Sequence, residues 1–399
     1  MVRAVSEFGS EVARLLSERG MSLRQAARLT HYDVSYLSKV VNGHKPGSPD
    51  LAAALDRVLD AGGQLAALAE TAAVRGPAAH GDVELIELSR QAGASDLAGG
   101  TLELLDTAVD RLCRGYPTED PGELSERAAR HLRYVTGLLG GRVTLAQHRE
   151  LLVTAGWLAA LIACARYDDG DAHTAETARI MARQFGEQAG HGELVGWSFE
   201  IAAYFALVEG RYADTVALSE AGIDHTGAST SAAVQLALQA ARGYARMGDP
   251  RAREALSAGH AVLARLPVPG NPDHHFVFDR DKREFYVATI LTWLGDDVAA
   301  GEHAAEVVRQ CEGAGRWPMR LGMTLVDLGV LAGRRGDLDE AVSQGTAALR
   351  LPRRSAQLLP RAAELHDELA ATYPGERLVT GYGEVIAELA DTGGRPALR

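Results

Sequence analysis

Residues 22–43 read SLRQAARLTHYDVSYLSKVVNG, and their spacing governs the reading of everything around them. Ser22 is placed to cap a short helix carrying Arg24, Gln25, Ala26 and Ala27, with Leu23 and Leu29 turned inward. Ala27 falls where two helices joined by a tight turn cross closely, so it has to be small. Thr30, His31 and Tyr32 form the turn. Asp33 or Ser35 then caps a second helix, in which Val34, Leu37 and Val41 share one side at i, i+3 and i+7. Ser35, Lys39 and Asn42 lie opposite, flanked by Tyr36 and Ser38. Their hydroxyl, ammonium and amide groups make that side a candidate surface for reading base edges in the major groove of DNA.

The flanks extend this unit. Phe8, Val12, Leu15 and Leu16 predict a helix over residues 8–19 that ends at Gly20 and covers the pair from behind. Pro46 to Pro49 is a turn, Leu51, Ala54, Leu55, Val58 and Leu59 define a fourth helix ended by Gly62-Gly63, and Leu65 and Leu68 continue a fifth. With VSYLSKVxNG followed by HKPGSP, residues 6–70 resemble the XRE (lambda-repressor/Cro-like) helix-turn-helix family. His31 departs from the family pattern, which has Gly in the turn, where a left-handed backbone is less comfortable for His. The resemblance implies base contacts from Ser35, Lys39 and Asn42. Arg24, Gln25, Tyr36, Ser38, His44 and Lys45 are expected on phosphate and sugar, which position without specifying sequence.

Charge qualifies that expectation. Of 399 residues 41 are basic and 53 acidic, a net −12. Residues 1–70 balance at zero, so the excess lies in residues 71–399, although Arg24, Arg28, Lys39 and Lys45 face only Asp33 within the reader. Such a chain is not a general nucleic-acid coat, and weak non-specific binding favours a site-selective dimer. No apolar run reaches the roughly 18–20 residues of a membrane span, and the polar first residues are unlike a signal peptide, so a cytoplasmic location is expected. Cys113, Cys164 and Cys311 lack any disulfide or zinc spacing and are expected as buried small side chains.

Residues 74–82 are expected as a linker after a reader spanning 1–73, and 83–143 as a helical connector interrupted at Gly99-Gly100 and at Tyr116 to Gly122. Beyond it a period emerges. Gly170-Asp171, Gly210-Arg211, Gly248-Asp249, Gly295-Asp296 and Gly336-Asp337 are 40, 38, 47 and 41 residues apart, each between two helical stretches. Large apolar residues precede each turn (Trp157, Leu161; Trp197, Ile201, Phe205; Tyr286, Ile290, Trp293) and small ones such as Ala175, Ala178, Ala252 and Ala341 follow. Large-to-small packing at this period resembles tetratricopeptide-like repeats over residues 144–350. Helices over 353–392 are expected to cap them, completing a domain of 144–399. The fold class is all-α: a five-helix DNA-binding domain followed by an α-solenoid.

The loop PVPGNPDHHFVFDRDK, residues 267–282, interrupts the repeats. His274, His275 and Asp279 carry metal-ligating groups, but adjacent histidines in an extended loop point apart and no partner spacing is defined. Asp279, Asp281 and Glu284 suit a capped helix start, and Phe276 and Phe278 a docked loop. No GxxxxGK[ST], HExxH, GxSxG or strand-linked GxGxxG is present, so neither catalysis nor a cofactor or metal is expected.

The combined pattern resembles bacterial regulators that join an XRE-type reader to a tetratricopeptide-like sensor, including peptide-pheromone-responsive regulators of Gram-positive bacteria; HHFVFD and WLGD are similar to actinobacterial members. That implies a homodimeric transcriptional regulator on double-stranded DNA whose concave face takes a peptide, small molecule or protein. Trp157, Trp197, Tyr204, Arg242, His274, His275, Arg283, Trp293 and Arg320 are the candidates to line it. The alternative is a scaffold for a protein partner that the reader merely localises.

Overall fold

The computed structural model describes residues 7–74, 95–97, 100–311 and 317–391. All secondary structure among them is helical. The chain divides into two compact units at residues 93 and 94. The expected linker, beyond Val74, and the first part of the expected connector lie outside the described residues.

In the first unit, α1 (Glu7–Glu18), α2 (Leu23–Thr30), α3 (Val34–Val41), α4 (Pro49–Leu59) and α5 (Gln64–Val74) enclose one small core. Their ends are fixed by side chains. Ser22 and Gln25 form a reciprocal capping box, Asp33 Oδ1 accepts the Ser35 and Tyr36 amides at 2.8 and 3.1 Å, and Ser48 caps α4. Buried Asp56 of α4 takes the Leu65 and Ala66 amides at 3.0 and 2.8 Å, joining α5 to α4. Gly47 cannot be larger, because a Cβ there would stand 2.4 Å from the Phe8 ring. His31 ends α2 in the left-handed region at φ 59°, so the turn keeps its geometry at a cost of roughly 1 kcal/mol that glycine would not bear.

The second unit begins with α6 (Thr101–Gly115) and α7 (Pro121–Leu139). These are not a separate connector: Leu105, Val109, Leu112, Leu124 and Ala128 share a core with Leu151, Ala155 and Leu158 of α8 (Leu145–Asp168). Helix pairs follow: α8 with α9 (Ala172–Ala189), α10 (Gly192–Val208) with α11 (Tyr212–Thr226), and α12 (Ser231–Arg246) with α13 (Arg251–Leu263). Then come α14 (Arg280–Leu294) with α15 (Asp297–Cys311), α16 (Pro318–Arg334) with α17 (Leu338–Leu349), and α18 (Leu358–Thr372) with α19 (Arg377–Asp391).

The periodic glycines are the left-handed hinges of these pairs, with φ between 68° and 87° at Gly170, Gly210, Gly248, Gly295 and Gly336. Asp171 and Asp337 then cap the next helix. First helices of the pairs are buried on most sides, whereas second helices turn small residues inward; at Gly222 of α11 a Cβ would lie 2.7 Å from Phe199. By length and composition α8 qualifies to cross a membrane, contrary to expectation, but 78% of its most apolar window is buried in the unit. It serves as a core helix. All three cysteines are free and buried.

The C-terminal helices do more than cap. Residues 350–357, between α17 and α18, reach back to α8, where Asp168 accepts Arg353 Nη2 at 2.6 Å, the Ala356 amide at 2.8 Å and the Tyr116 hydroxyl at 2.7 Å. The Asp168 side chain is fully buried, and Arg353 is 4% exposed. Farther on, Glu364 pairs with Arg246 of α12 at 2.6 Å.

Two expectations follow. Asp168→Asn removes one partner of a buried ion pair and should cost about 3–5 kcal/mol; hydrogen exchange should show residues 352–372 losing protection before the rest of the unit. His31→Gly should slow exchange of the α2 and α3 amides by about 1 kcal/mol of opening free energy, and unchanged exchange would mean that the turn carries no strain.

Candidate nucleic-acid interface and buried chamber

On α3, Leu37 and Val40 are fully buried, which turns Ser35, Lys39 and Asn42 outward, all exposed. The inner stripe differs from the expected one. Val34 is 38% exposed and Val41 half-buried, because Leu37 and Val40 form the i, i+3 pair that faces α1 and the first turn projects beyond the core. Leu29, also expected inside, is 56% exposed; Ala26, Ala27 and Thr30 form the buried side of α2, with the Thr30 hydroxyl satisfied by the Ala26 carbonyl at 2.8 Å. Val34 thus joins the exposed face as an apolar group suited to a thymine methyl.

The flanking residues are arranged around this face. Asn42 Nδ2 donates to Ser38 Oγ at 3.3 Å, coupling the two. The Tyr32 and Tyr36 rings stack at 5.9 Å, and Lys45 Nζ lies 5.6 Å from the Tyr36 ring centre. The amides of His44 and Lys45 both donate to the Lys39 carbonyl, so the loop after Gly43 folds over the end of α3 with both side chains exposed. Arg24 is exposed as well. Gln25 is exposed too, its Oε1 accepting the Ser22 amide at 2.8 Å in the capping box.

In the second unit, α8, α10, α12, α14 and α16 line a chamber of about 140 Å³. The 267–279 loop forms one wall: Phe276 is wedged between Trp157 and Trp197 at 5.2 and 5.3 Å, Phe278 packs on Tyr286 at 5.9 Å, and Asp279 caps α14. Ser355 and Gln357, held by the Asp168 contacts next to them, form another. Of the candidates named from sequence, Trp197, Tyr204, Arg242, His274, His275 and Arg320 line the chamber. Three do not. Trp157 packs edge-on against His191, Arg283 faces outward to Glu284 beside the inward Lys282, and Trp293 lies two turns beyond Tyr286, beneath Arg242, Arg246 and Arg361.

Sequence reading also missed lining residues. Glu200 Oε1 accepts the side-chain amides of Gln235 and Gln239, both at 2.9 Å, and burial pushes its carboxyl up. Gln239 and Gln357 accept the Arg242 guanidinium. Lys282 Nζ donates to the His275 carbonyl at 3.1 Å and lies 5.4 Å from the Trp197 ring centre; burial holds its pKa at about 8. A signal was available: Gln235, Gln239 and Arg242 recur at i, i+4 and i+7 on an otherwise apolar helix.

The two histidines are kept neutral. His274 Nδ1 accepts the Phe276 amide at 3.2 Å, and burial pushes its imidazole down to about 4. His275 is pushed down further by burial and by Lys282, its ring 3.9 Å from that of Tyr116. Among the described residues no group of three or more His, Cys, Asp or Glu side chains is placed to hold a metal ion.

Residues 7–69 match the protein-family model described as a helix-turn-helix domain. A search of curated proteins found no match to the chain.

The histidines generate a pH expectation. A folded imidazole pKa below the unfolded value of about 6.5 contributes stability that is present above 6.5 and lost as pH falls toward 4. His274→Asn retains an acceptor for the Phe276 amide, so the stability difference between wild type and variant should shrink by about 1–3 kcal/mol from pH 7 to 4.5. Urea unfolding of the second unit measures it, and parallel pH curves would rule it out.

Proposed function

We propose that the chain is a sequence-selective transcriptional regulator that reads double-stranded DNA as a homodimer and responds to an effector in the chamber of its tetratricopeptide-like second unit. The observation that carries this reading is the exposed polar face of α3, Ser35, Lys39 and Asn42, within the residues that match the helix-turn-helix family. Asn42 and Ser35 suit adenine and mixed edges, and Lys39 suits guanine O6 and N7. Arg24, His44 and Lys45 stand where phosphates would be held.

Dimerisation follows from electrostatics. Four cations oppose one acid in the reader and the rest of the chain is acidic, so one copy binds poorly and two half-sites about 34–36 Å apart supply the affinity. The chamber's volume of about 140 Å³ favours a small molecule over a peptide or protein ligand, and so favours this reading over that of a scaffold. The protein acts without catalysis, in the cytoplasm.

Gel shift and footprinting against the chain's own promoter region test the reading. Lys39→Ala should cost on the order of 1–3 kcal/mol and relax one base preference. Lys45→Ala should weaken all sequences evenly and flatten the salt slope by about one. Wild-type operator affinity in Lys39→Ala would remove α3 as the reading helix.

A further inference from the structure

We propose that the chamber binds a small organic oxyanion, with a carboxylate or phosphate head held by Arg242, Lys282 and Arg320 and a flat apolar body lying against Trp197 and Tyr286. The inference rests on the reading of the chamber as an effector site and names the chemistry of its occupant.

Three fully buried arginines occur among the described residues, and they fall into two classes. Arg353 and Arg361 are structural: each pairs with a wholly buried carboxylate, Asp168 at 2.6 Å and Asp327 at 3.0 Å. Arg242, 2% exposed, has no such partner. Its two terminal nitrogens donate to the neutral amides of Gln239 and Gln357, and Nε has no acceptor. The other cations of the chamber are placed likewise. Lys282 is 8% exposed and bonded only to a backbone carbonyl. Arg320 Nη1 has no acceptor, and Nη2 stands 4.0 Å from Asp279, beyond hydrogen-bond reach.

Elsewhere the fold pairs its buried guanidiniums, and burying one unpaired is costly. Three cations without a bonded carboxylate, converging on one cavity, are therefore positioned for a charge that arrives from outside. Glu200, a buried acid of the chamber lining, is spent on two amide donors. Guanidinium forks suit planar carboxylate and tetrahedral phosphate alike. The cavity of about 140 Å³ exceeds the space of a few waters and is too small for a folded partner. Trp197 and Tyr286, 1% and 5% exposed, supply aromatic faces beside the cations.

The test uses the full chain with three probes of one shape: 1-naphthylacetate, 1-naphthyl phosphate and the neutral 1-naphthylacetamide, by calorimetry and thermal shift. At least one anion should bind saturably and at least tenfold more tightly than the amide, and the stronger of the two identifies the head group. Lys282→Met and Arg320→Met should each weaken the anion at least tenfold; Lys282→Met should leave the unliganded melting temperature unchanged or higher, because it removes a buried charge bonded to no carboxylate, whereas Arg320→Met also removes the ion pair with Asp279. Glu200→Gln, which keeps the amide network, should bind the anion as tightly or more tightly. Equal binding of the amide, no binding of either anion, or weaker anion binding in Glu200→Gln overturns the proposal. Gel shift of unliganded wild type separates the two readings: loss of operator binding defeats the regulator, whereas intact operator binding without anion preference defeats only the ligand assignment.

Discussion

A buried carboxylate ties residues 350–357 of the second unit back to its first helices. Asp168 gathers donors from Tyr116, Arg353 and Ala356, which lie 52, 185 and 188 residues away in sequence. Charge-assisted bonds of this kind are roughly twice as strong as neutral ones, and the cost of closing a long loop grows only slowly with its length. A row of helix pairs left open has a concave face bathed in water. Residues 350–357 cover part of that face, where Ser355 and Gln357 line the chamber.

An interior changes what a polar side chain means. In low dielectric an unmatched charge is expensive and a matched one strong, so the pairing of a buried charge carries meaning. Asp327 with Arg361 and Thr289 is an assigned set. Glu200 with Gln235 and Gln239 is another, and it orients the amide that receives Arg242. The neutral histidines of the 267–279 loop belong to the same logic, since a charged imidazole would break the Phe276 contact that seats the loop. In the first unit buried Asp56 is spent on tying α5 down and the buried Thr30 hydroxyl on its own helix, while the polar side chains of the α3 face point outward.

Much of this was legible in the residues. The glycine period predicted the helix pairs because each hinge needs a positive φ, a local requirement that sequence shows directly. The reading face of α3 was legible for the same reason, helical spacing being local. Burial at the ends of short helices was not: Leu29 and Val34 are apolar and exposed because the small core stops short of them. Arg283 and Lys282 are chemically alike neighbours, and only the rotation of α14 sends Lys282 inward. Trp157 and Trp293 have the composition of a ligand site but lie beside the chamber instead of on its wall.

Sequence by itself determined the all-helical class, the position of the reader, the hinges of the five helix pairs from α8 to α17 and the docking of the 267–279 loop, because caps, turns and amphipathic spacing act over a few residues. Tertiary structure alone decided that α6 and α7 belong to the core, that residues 350–357 tie back to Asp168, and which cations share one chamber. Those outcomes depend on contacts between residues from about 50 to nearly 190 positions apart, and no local preference encodes which distant carboxylate an arginine will meet.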